Sequence, residues 1–163
     1  MFDITQFRED ILTPALEALQ FREPELKELL VFTCAVESAG GTYVKQKEGP
    51  ALGIYQLEPR SFSDLWHNYV LRRPDIVNLL SLNLGVHRVP DPREIITDLK
   101  LATALCAMYY KWKKVNLQSM DEETLWNAYK TFYNTEKGAA TKDKSIAAYR
   151  KFAGIKPKAS SDA

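Results

Sequence analysis

The sequence predicts a mainly α-helical domain with one short non-helical segment, which is a small β-hairpin or an extended loop. Apolar side chains recur at helical spacing along nearly the whole chain. β-Prone residues gather only between residues 41 and 57, where glycine and proline interrupt the helical pattern. A length of 163 residues is typical of one domain, and 45% hydrophobic residues suffice for a core. We expect residues 1–155 to form this domain and residues 156–163 to be a disordered polar tail.

Two helical regions are predicted before residue 40. The apolar face of residues 7–12 is interrupted at Thr13-Pro14, where Thr13 can cap a new turn. The next helix begins near Pro24, because proline suits the first helical position, and it ends at Gly40-Gly41. Its apolar stripe comprises Leu26, Leu29, Leu30, Thr33 and Val36.

The non-helical segment follows directly. Thr42-Tyr43-Val44 and the run from Gly53 to Leu57 are β-prone, and the turn residues Gly49-Pro50 separate them. A hairpin or extended loop with these features would form one wall of a cleft beside the end of the preceding helix.

Start and stop residues divide the rest of the chain into helices. Glu58-Pro59 opens one helix, and Gly85 ends the next. Asp91-Pro92-Arg93-Glu94 has the pattern of a capping box and opens a long helix. That helix is apolar almost all round, so we expect it to be the central core helix. A second capping box at Ser119-Met120-Asp121-Glu122 and a cap at Thr141 open the last two helices.

Glu37 is the unusual residue, because it falls on the apolar stripe of the helix that begins near Pro24. It lies four residues after Thr33, so its side chain points toward the interior. Loss of hydration and the negative end of the helix dipole both raise the pKa of a carboxyl group there. A carboxylic acid that stays protonated near neutral pH can serve as a general acid. The alternative is a glutamate whose head extends to the surface.

Several segments of this chain together resemble the soluble lytic transglycosylase and goose-type lysozyme superfamily. They are Glu37-Ser38-Ala39, the polar loop, the run from Gly53 to Pro59, Asp91-Pro92, and Tyr133-Asn134. The resemblance covers roughly residues 25–140 in the right order. It implies a lysozyme-like (α+β) helical domain that cleaves the β-1,4 bond between N-acetylmuramic acid and N-acetylglucosamine in peptidoglycan.

The resemblance also implies roles for individual residues. Glu37 would be the catalytic acid and base, and Gln56 would hydrogen-bond the sugar in the cleft. Tyr133 matches the family tyrosine whose hydroxyl approaches the catalytic carboxyl group, or it is a core aromatic. Asn134 belongs to the same segment as Tyr133 and is a further substrate-binding candidate.

Each of two further motif residues has two alternative positions relative to the cleft. Ser38 follows the acid and either contacts it and the substrate or caps a loop amide. Tyr55 stands where the family commonly has methionine, and it either reaches the substrate or packs in the core.

The second acidic residue decides the mechanism. A lysozyme that hydrolyses the bond needs a second carboxylate, and Glu48 is the candidate, unless it is only a solvated loop residue. A lytic transglycosylase needs one carboxyl group, because the muramyl C6 hydroxyl closes an anhydro ring. We expect transglycosylase chemistry, with hydrolysis as the alternative. A non-catalytic wall-binding or virion structural module, or an unrelated helical interaction domain, are the other possibilities.

The composition argues against several other classes of protein. Lys and Arg total 22 against 21 Asp and Glu, and a net charge of +1 does not favour a nucleic-acid partner. Cys34 and Cys106 lie in apolar helical segments and are expected to be core residues. His67 and His87 have no metal-ligand spacing around them, so we expect no metal and no cofactor.

The first ten residues are charged and amphipathic and contain no apolar run suited to export or membrane insertion. We expect synthesis in the cytoplasm without a signal peptide, no membrane insertion and a monomer. Bacterial members of the superfamily usually carry an export signal. Its lack favours a phage-type lysin, an endolysin or virion-associated enzyme, that a holin or the virion delivers to the cell wall.

Overall fold

A computed structural model describes residues 1–135 and 138–156, and it confirms a mainly helical chain. We number the helices α1 to α7. Helix α1 consists of Ile4–Gln6, a π-helical turn at Phe7–Leu12 and Thr13–Ala18; α2 spans Pro24–Ser38, α3 Pro59–Asn68, α4 Pro74–Leu84, α5 Leu99–Trp112, α6 Glu122–Ala128 with a π-helical extension at Tyr129–Asn134, and α7 Lys142–Ala153. Short 3₁₀ helices cover Val70–Arg72 and Pro92–Ile96.

The proline and glycine signals mark helix ends as predicted. Pro24 and Pro59 occupy the first turns of α2 and α3, where a missing N–H costs no hydrogen bond. Gly85 and Gly154 follow α4 and α7 in the left-handed conformation, with φ of 67° and 69°, which glycine adopts without strain.

The predicted break at Thr13-Pro14 is wrong, because α1 continues through it. The backbone N–H and the side-chain hydroxyl of Thr13 both donate to the carbonyl of Arg8, the hydroxyl at 2.8 Å. This bond spans five residues and so widens the helix into a π-helical turn. A widened turn relieves the crowding that the ring of Pro14 would cause in a regular α-helix.

The predicted start of the central helix also needs correction. The capping box at Asp91 and Glu94 is present, but it opens only the 3₁₀ helix Pro92–Ile96. Helix α5 has a cap of its own at Asp98, whose carboxylate accepts the Leu101 N–H at 2.9 Å. A second capping box was predicted at Ser119; there, Asp121 is the residue that caps α6.

Helix α5 is the centre of the core, as its apolar composition predicts. Every side chain from Leu101 to Met108 is buried. The Tyr110 hydroxyl lies 2.7 Å from Thr33 Oγ1, which ties α5 to α2 within the core. Cys34 and Cys106 are buried and not disulfide-bonded, so their predicted place in the core is confirmed.

The segment between α2 and α3 is an irregular loop made mostly of turns, and the predicted β-hairpin is not formed. Its only β-like pairs are two isolated antiparallel bridges, Lys45 with Leu52 and Leu52 with Leu57, and no longer strand occurs in the described residues. Gly53 anchors this loop against the 3₁₀ helix Pro92–Ile96. A Cβ at Gly53 would lie 2.9 Å from the Ile95 carbonyl oxygen, and φ there is +74°, so only glycine fits.

None of the helices in the described part of the chain has the length and apolar character needed to cross a membrane. The predicted polar tail lies, apart from Lys156, outside the described residues.

Candidate active site

Glu37 lies in the wall of a cavity of about 430 Å³. The end of α2, the loop before α3, helix α5 and the π-helical extension of α6 surround it. The polar residues of its lining are Glu37, Gln46, Gln56, Glu58, Ser61, Tyr109, Tyr133, Asn134 and Thr135. Three residues named from the sequence, Gln56, Tyr133 and Asn134, are thus brought together with Glu37.

The environment of Glu37 supports two protonation states near neutral pH. Burial raises the pKa of its carboxyl group from 4.5 to about 7, and a hydrogen bond from Tyr129 acts in the opposite direction. The Tyr129 hydroxyl donates to Glu37 Oε1 at 2.7 Å. The prediction of a raised pKa is confirmed. A carboxyl group that is about half protonated at pH 7 can give up a proton and later take one back.

Tyr129, and not Tyr133, makes the hydrogen bond to the Glu37 carboxyl group that the resemblance implies for Tyr133. Tyr133 instead donates from its hydroxyl to the backbone carbonyl of Tyr55 at 2.5 Å. The two tyrosines are four residues apart and share one helix face, so spacing alone does not distinguish them. Tyr129 is buried, with its ring 5.6 Å from that of Phe32 on α2 and 6.1 Å from that of Tyr133. These aromatic contacts hold its hydroxyl at the carboxyl group.

Gln56 presents an unpaired acceptor to the cavity. Its backbone is left-handed, with φ of +52°, which is costly for a residue other than glycine. Its Nε2 donates to the Gly53 carbonyl at 2.8 Å, while Oε1 accepts no hydrogen bond from the described residues. The loop therefore holds the amide with its oxygen free to accept a hydrogen bond from a ligand in the cavity.

Ser38 and Tyr55 do not line the cavity, and their assignment as substrate-binding residues is corrected. Ser38 is fully buried; its hydroxyl donates to the Cys34 carbonyl and accepts the Gly41 N–H at 3.0 Å. It is therefore the cap of a loop amide. Tyr55 is 2% exposed, and its hydroxyl lies 2.9 Å from Thr103 Oγ1 inside the core.

Lys130 forms hydrogen bonds to two residues that line the cavity. Its Nζ donates to Asn134 Oδ1 at 2.8 Å and to the Gly138 carbonyl at 2.9 Å. Asn134 and Gly138 both line the cavity. A Cβ at Gly138 would lie 2.2 Å from Asn134 Oδ1, so this turn closes tightly on the asparagine.

The acidic residue that accompanies Glu37 is Glu58, and the sequence argument missed it. Glu48, named from the sequence as the candidate second carboxylate at the substrate, is exposed on the loop and does not line the cavity, so that assignment is corrected. Glu58 lines the cavity beside Gln56. Its position directly after the Gly53 to Leu57 run is the signal for this role, but the same position also marks the start of α3.

Changing Tyr129 to Phe is expected to raise the pKa of Glu37 above its value of about 7. The hydroxyl of Tyr129 lowers that pKa by donating to the carboxylate, so its removal destabilises the ionised form. Titration of the Glu37 side-chain carbon by NMR would measure the shift. Tyr133→Phe is the matched control, because Tyr133 donates to a backbone carbonyl instead. An unchanged pKa in Tyr129→Phe would contradict this account.

Among the described residues, no group of three or more His, Cys, Asp or Glu side chains is arranged to hold a metal ion. No protein-family model matches the sequence, and neither curated proteins nor solved structures gave a significant match. The grounds for assigning a function are therefore the contacts of Glu37 and the motif residues that share its cavity.

Proposed function

We propose that this protein cleaves glycan strands of peptidoglycan as a lytic transglycosylase with a lysozyme-like (α+β) fold. The bond cleaved is the β-1,4 bond between N-acetylmuramic acid and N-acetylglucosamine. The observation that carries the proposal is the Glu37 carboxyl group, with a pKa of about 7, in the wall of a cavity of about 430 Å³. Support comes from Gln56 and Asn134, motif residues of the resembled superfamily that line the same cavity.

One carboxyl group suffices for both chemical steps. Protonated Glu37 gives its proton to the glycosidic oxygen, the bond from that oxygen to muramyl C1 breaks, and positive charge develops on the ring. The Glu37 carboxylate then takes the proton of the muramyl C6 hydroxyl, whose oxygen bonds to C1 and closes the anhydro ring. The carboxyl group is regenerated and no water is consumed. A pKa near neutrality serves the acid step and the base step equally.

The cavity suits a polar ring substrate. Its volume falls within the range of about 300 to 1,000 Å³ that is common for small-ligand sites. Amide groups from Gln46, Gln56 and Asn134 offer hydrogen bonds to sugar hydroxyl and acetamido groups. The rings of Tyr109 and Tyr133 meet edge to face at 5.4 Å and form an apolar wall for a sugar ring.

Hydrolysis is the second candidate, and Glu58 is the observation that favours it. A muramidase needs a second carboxylate to activate water or to bond to C1. Glu58 lines the cavity with Glu37, whereas Glu48 does not. In this mechanism Glu58 replaces Glu48 as the partner of Glu37.

The products released from purified peptidoglycan test the proposal. We expect fragments that end in anhydro-muramic acid, one water lighter by mass than fragments with reducing ends. Reducing ends would establish hydrolysis instead. Glycan binding with no released fragment would reject both enzymatic mechanisms and indicate a non-catalytic wall-binding or virion structural module.

Glu58→Gln separates the two enzymatic mechanisms. For a transglycosylase we expect its rate to stay within about threefold of wild type, because Glu58 takes no part in the proton transfers of that mechanism. For a hydrolase the loss of the second carboxylate would lower the rate by about 100-fold or more. Glu48→Gln, with an exposed carboxylate outside the cavity, is the control for a change of charge on the same loop.

A further inference from the structure

A second cavity adjoins the one that Glu37 lines. Its volume is about 420 Å³, and Gln46 lines both cavities. Gln46 is held in place, because its N–H donates to the Ala51 carbonyl at 2.9 Å and its Oε1 accepts the Ala51 N–H at 3.2 Å. Gly49 makes room for it, since a Cβ there would lie 2.2 Å from Gln46 Oε1. The Gln46 side chain therefore forms the partition between two adjoining spaces.

The second cavity is lined by three cations and one carboxylate. The cations are Lys45, Lys47 and Arg93, and all three side chains are exposed. The carboxylate belongs to Asp91, and its Oδ1 already accepts the Arg93 N–H at 2.8 Å as part of the helix cap. None of the three cations forms an ion pair with a described residue; Lys47 Nζ lies 5.0 Å from the ring centre of Tyr43, which leaves its charge available.

The fold brings the loop that carries Lys45 and Lys47 next to the 3₁₀ helix that carries Arg93. Lys45 is paired with Leu52 in an antiparallel bridge, and the Gly53 N–H donates to the Val44 carbonyl at 2.8 Å. Gly53 in turn packs against the Ile95 carbonyl of the 3₁₀ helix that carries Arg93. These contacts place Lys45, Lys47 and Arg93 in the lining of the same cavity. A concave surface lined mainly by one sign of charge attracts ligands of the opposite sign.

We infer that this second cavity binds the carboxylates of the peptidoglycan stem peptide. The inference rests on the proposed function. Each N-acetylmuramic acid carries its stem on the lactyl group, so a strand seated at Glu37 has its stems beside the cleft. Stem peptides carry free carboxylates, which are the groups that lysine and arginine bind by charge-assisted hydrogen bonds. Arg93, Lys45 and Lys47 are specificity-determining residues in this arrangement, and they transfer no proton.

The test compares two substrates with one triple variant of the full chain. The substrates are purified peptidoglycan strands with intact stems and the same strands after an amidase has removed the stems and the lactyl carboxylates left behind have been converted to methyl amides. For Lys45→Gln/Lys47→Gln/Arg93→Gln we expect about a tenfold higher KM on stem-bearing strands, with kcat unchanged, because three exposed charge pairs each contribute modestly. On stem-free strands the variant and wild type should have equal KM.

Controls separate this inference from its competitors. Lys100→Gln removes one exposed charge away from both cavities and should leave KM unchanged. The KM difference should shrink when salt is raised to about 0.5 M, because exposed charges are screened. Equal losses on both substrates, or no loss, would overturn the stem-peptide site. A loss that appears only on sacculi retaining phosphate-rich wall polymers would overturn it in favour of a phosphate ligand.

The same measurements can reject the proposed enzymatic function without rejecting the second binding site, and the reverse. Wild-type protein that releases no fragment from either substrate would reject the enzymatic proposal. In that event, sedimentation with stem-bearing and stem-free strands still measures whether the three cations bind stems. Wild-type protein that cleaves both substrates with equal KM would keep the enzyme and reject only the second site.

Discussion

Replacing Glu37 with Gln is expected to lower the rate of fragment release from purified peptidoglycan by a factor of about 10² to 10⁴. The amide has no proton to give to the glycosidic oxygen and cannot act as a base afterwards. Glutamine has the same size as glutamate. Its side-chain oxygen can still accept a hydrogen bond from the Tyr129 hydroxyl, which lies 2.7 Å from Glu37 Oε1 in the wild-type protein. The loss would therefore report the missing proton transfer and not a collapsed cavity.

Glu48→Gln is the matched control for this experiment. It makes the same chemical change in the exposed part of the loop, outside the cavity, and should retain wild-type activity. The wild-type rate should fall as pH rises above about 7, because the acid step needs the protonated form of Glu37. Full activity in Glu37→Gln would dismiss Glu37 as the catalytic acid.

The same variant is expected to be more stable than wild type above pH 7, by up to about 3 kcal/mol. The pKa of Glu37 is about 7 in the folded protein against an ordinary value of 4.5. Below pH 4.5 the carboxyl group is protonated in both states, and it costs no stability. As pH rises from 4.5 to 7, the unfolded chain releases the proton more readily than the folded chain, so wild-type stability falls. Above pH 7 the folded protein carries a half-buried charge, and the full cost applies.

Urea unfolding at about pH 4 and about pH 9 would measure this linkage. The free energies of unfolding of wild type and Glu37→Gln should converge at the lower pH and separate at the higher pH. Glu48→Gln should show no comparable gain at high pH, because its carboxylate is exposed. A difference that is independent of pH would mean that packing, and not ionisation, distinguishes the variant.

Local signals predicted many of the helix ends, and they failed where two signals competed. Pro24, Pro59 and Gly85 mark real boundaries, because each imposes its backbone preference without help from the rest of the chain. Asp91 has a genuine capping box, yet a second cap at Asp98, seven residues later, starts α5. The two π-helical turns have no local signature comparable to a cap.

The candidate site likewise combines features that the local sequence predicted with features that it did not predict. The place of Glu37 on an apolar stripe predicted its raised pKa, since both follow from helical periodicity and desolvation. The choice of Tyr129 over Tyr133, and of Glu58 over Glu48, did not follow from spacing. Those choices depend on how far α6 and the loop lie from the end of α2.

By itself, the sequence determined the helical class, the buried central helix and the unusual setting of one carboxyl group. These follow from short-range periodicity and from backbone preferences that act within a few residues. Only the tertiary structure decided which hydroxyl holds Glu37, which second carboxylate shares its cavity and which cations gather behind the loop. Those outcomes join residues far apart in the chain, such as Glu37 with Tyr129 and Lys45 with Arg93, whose meeting depends on packing between elements.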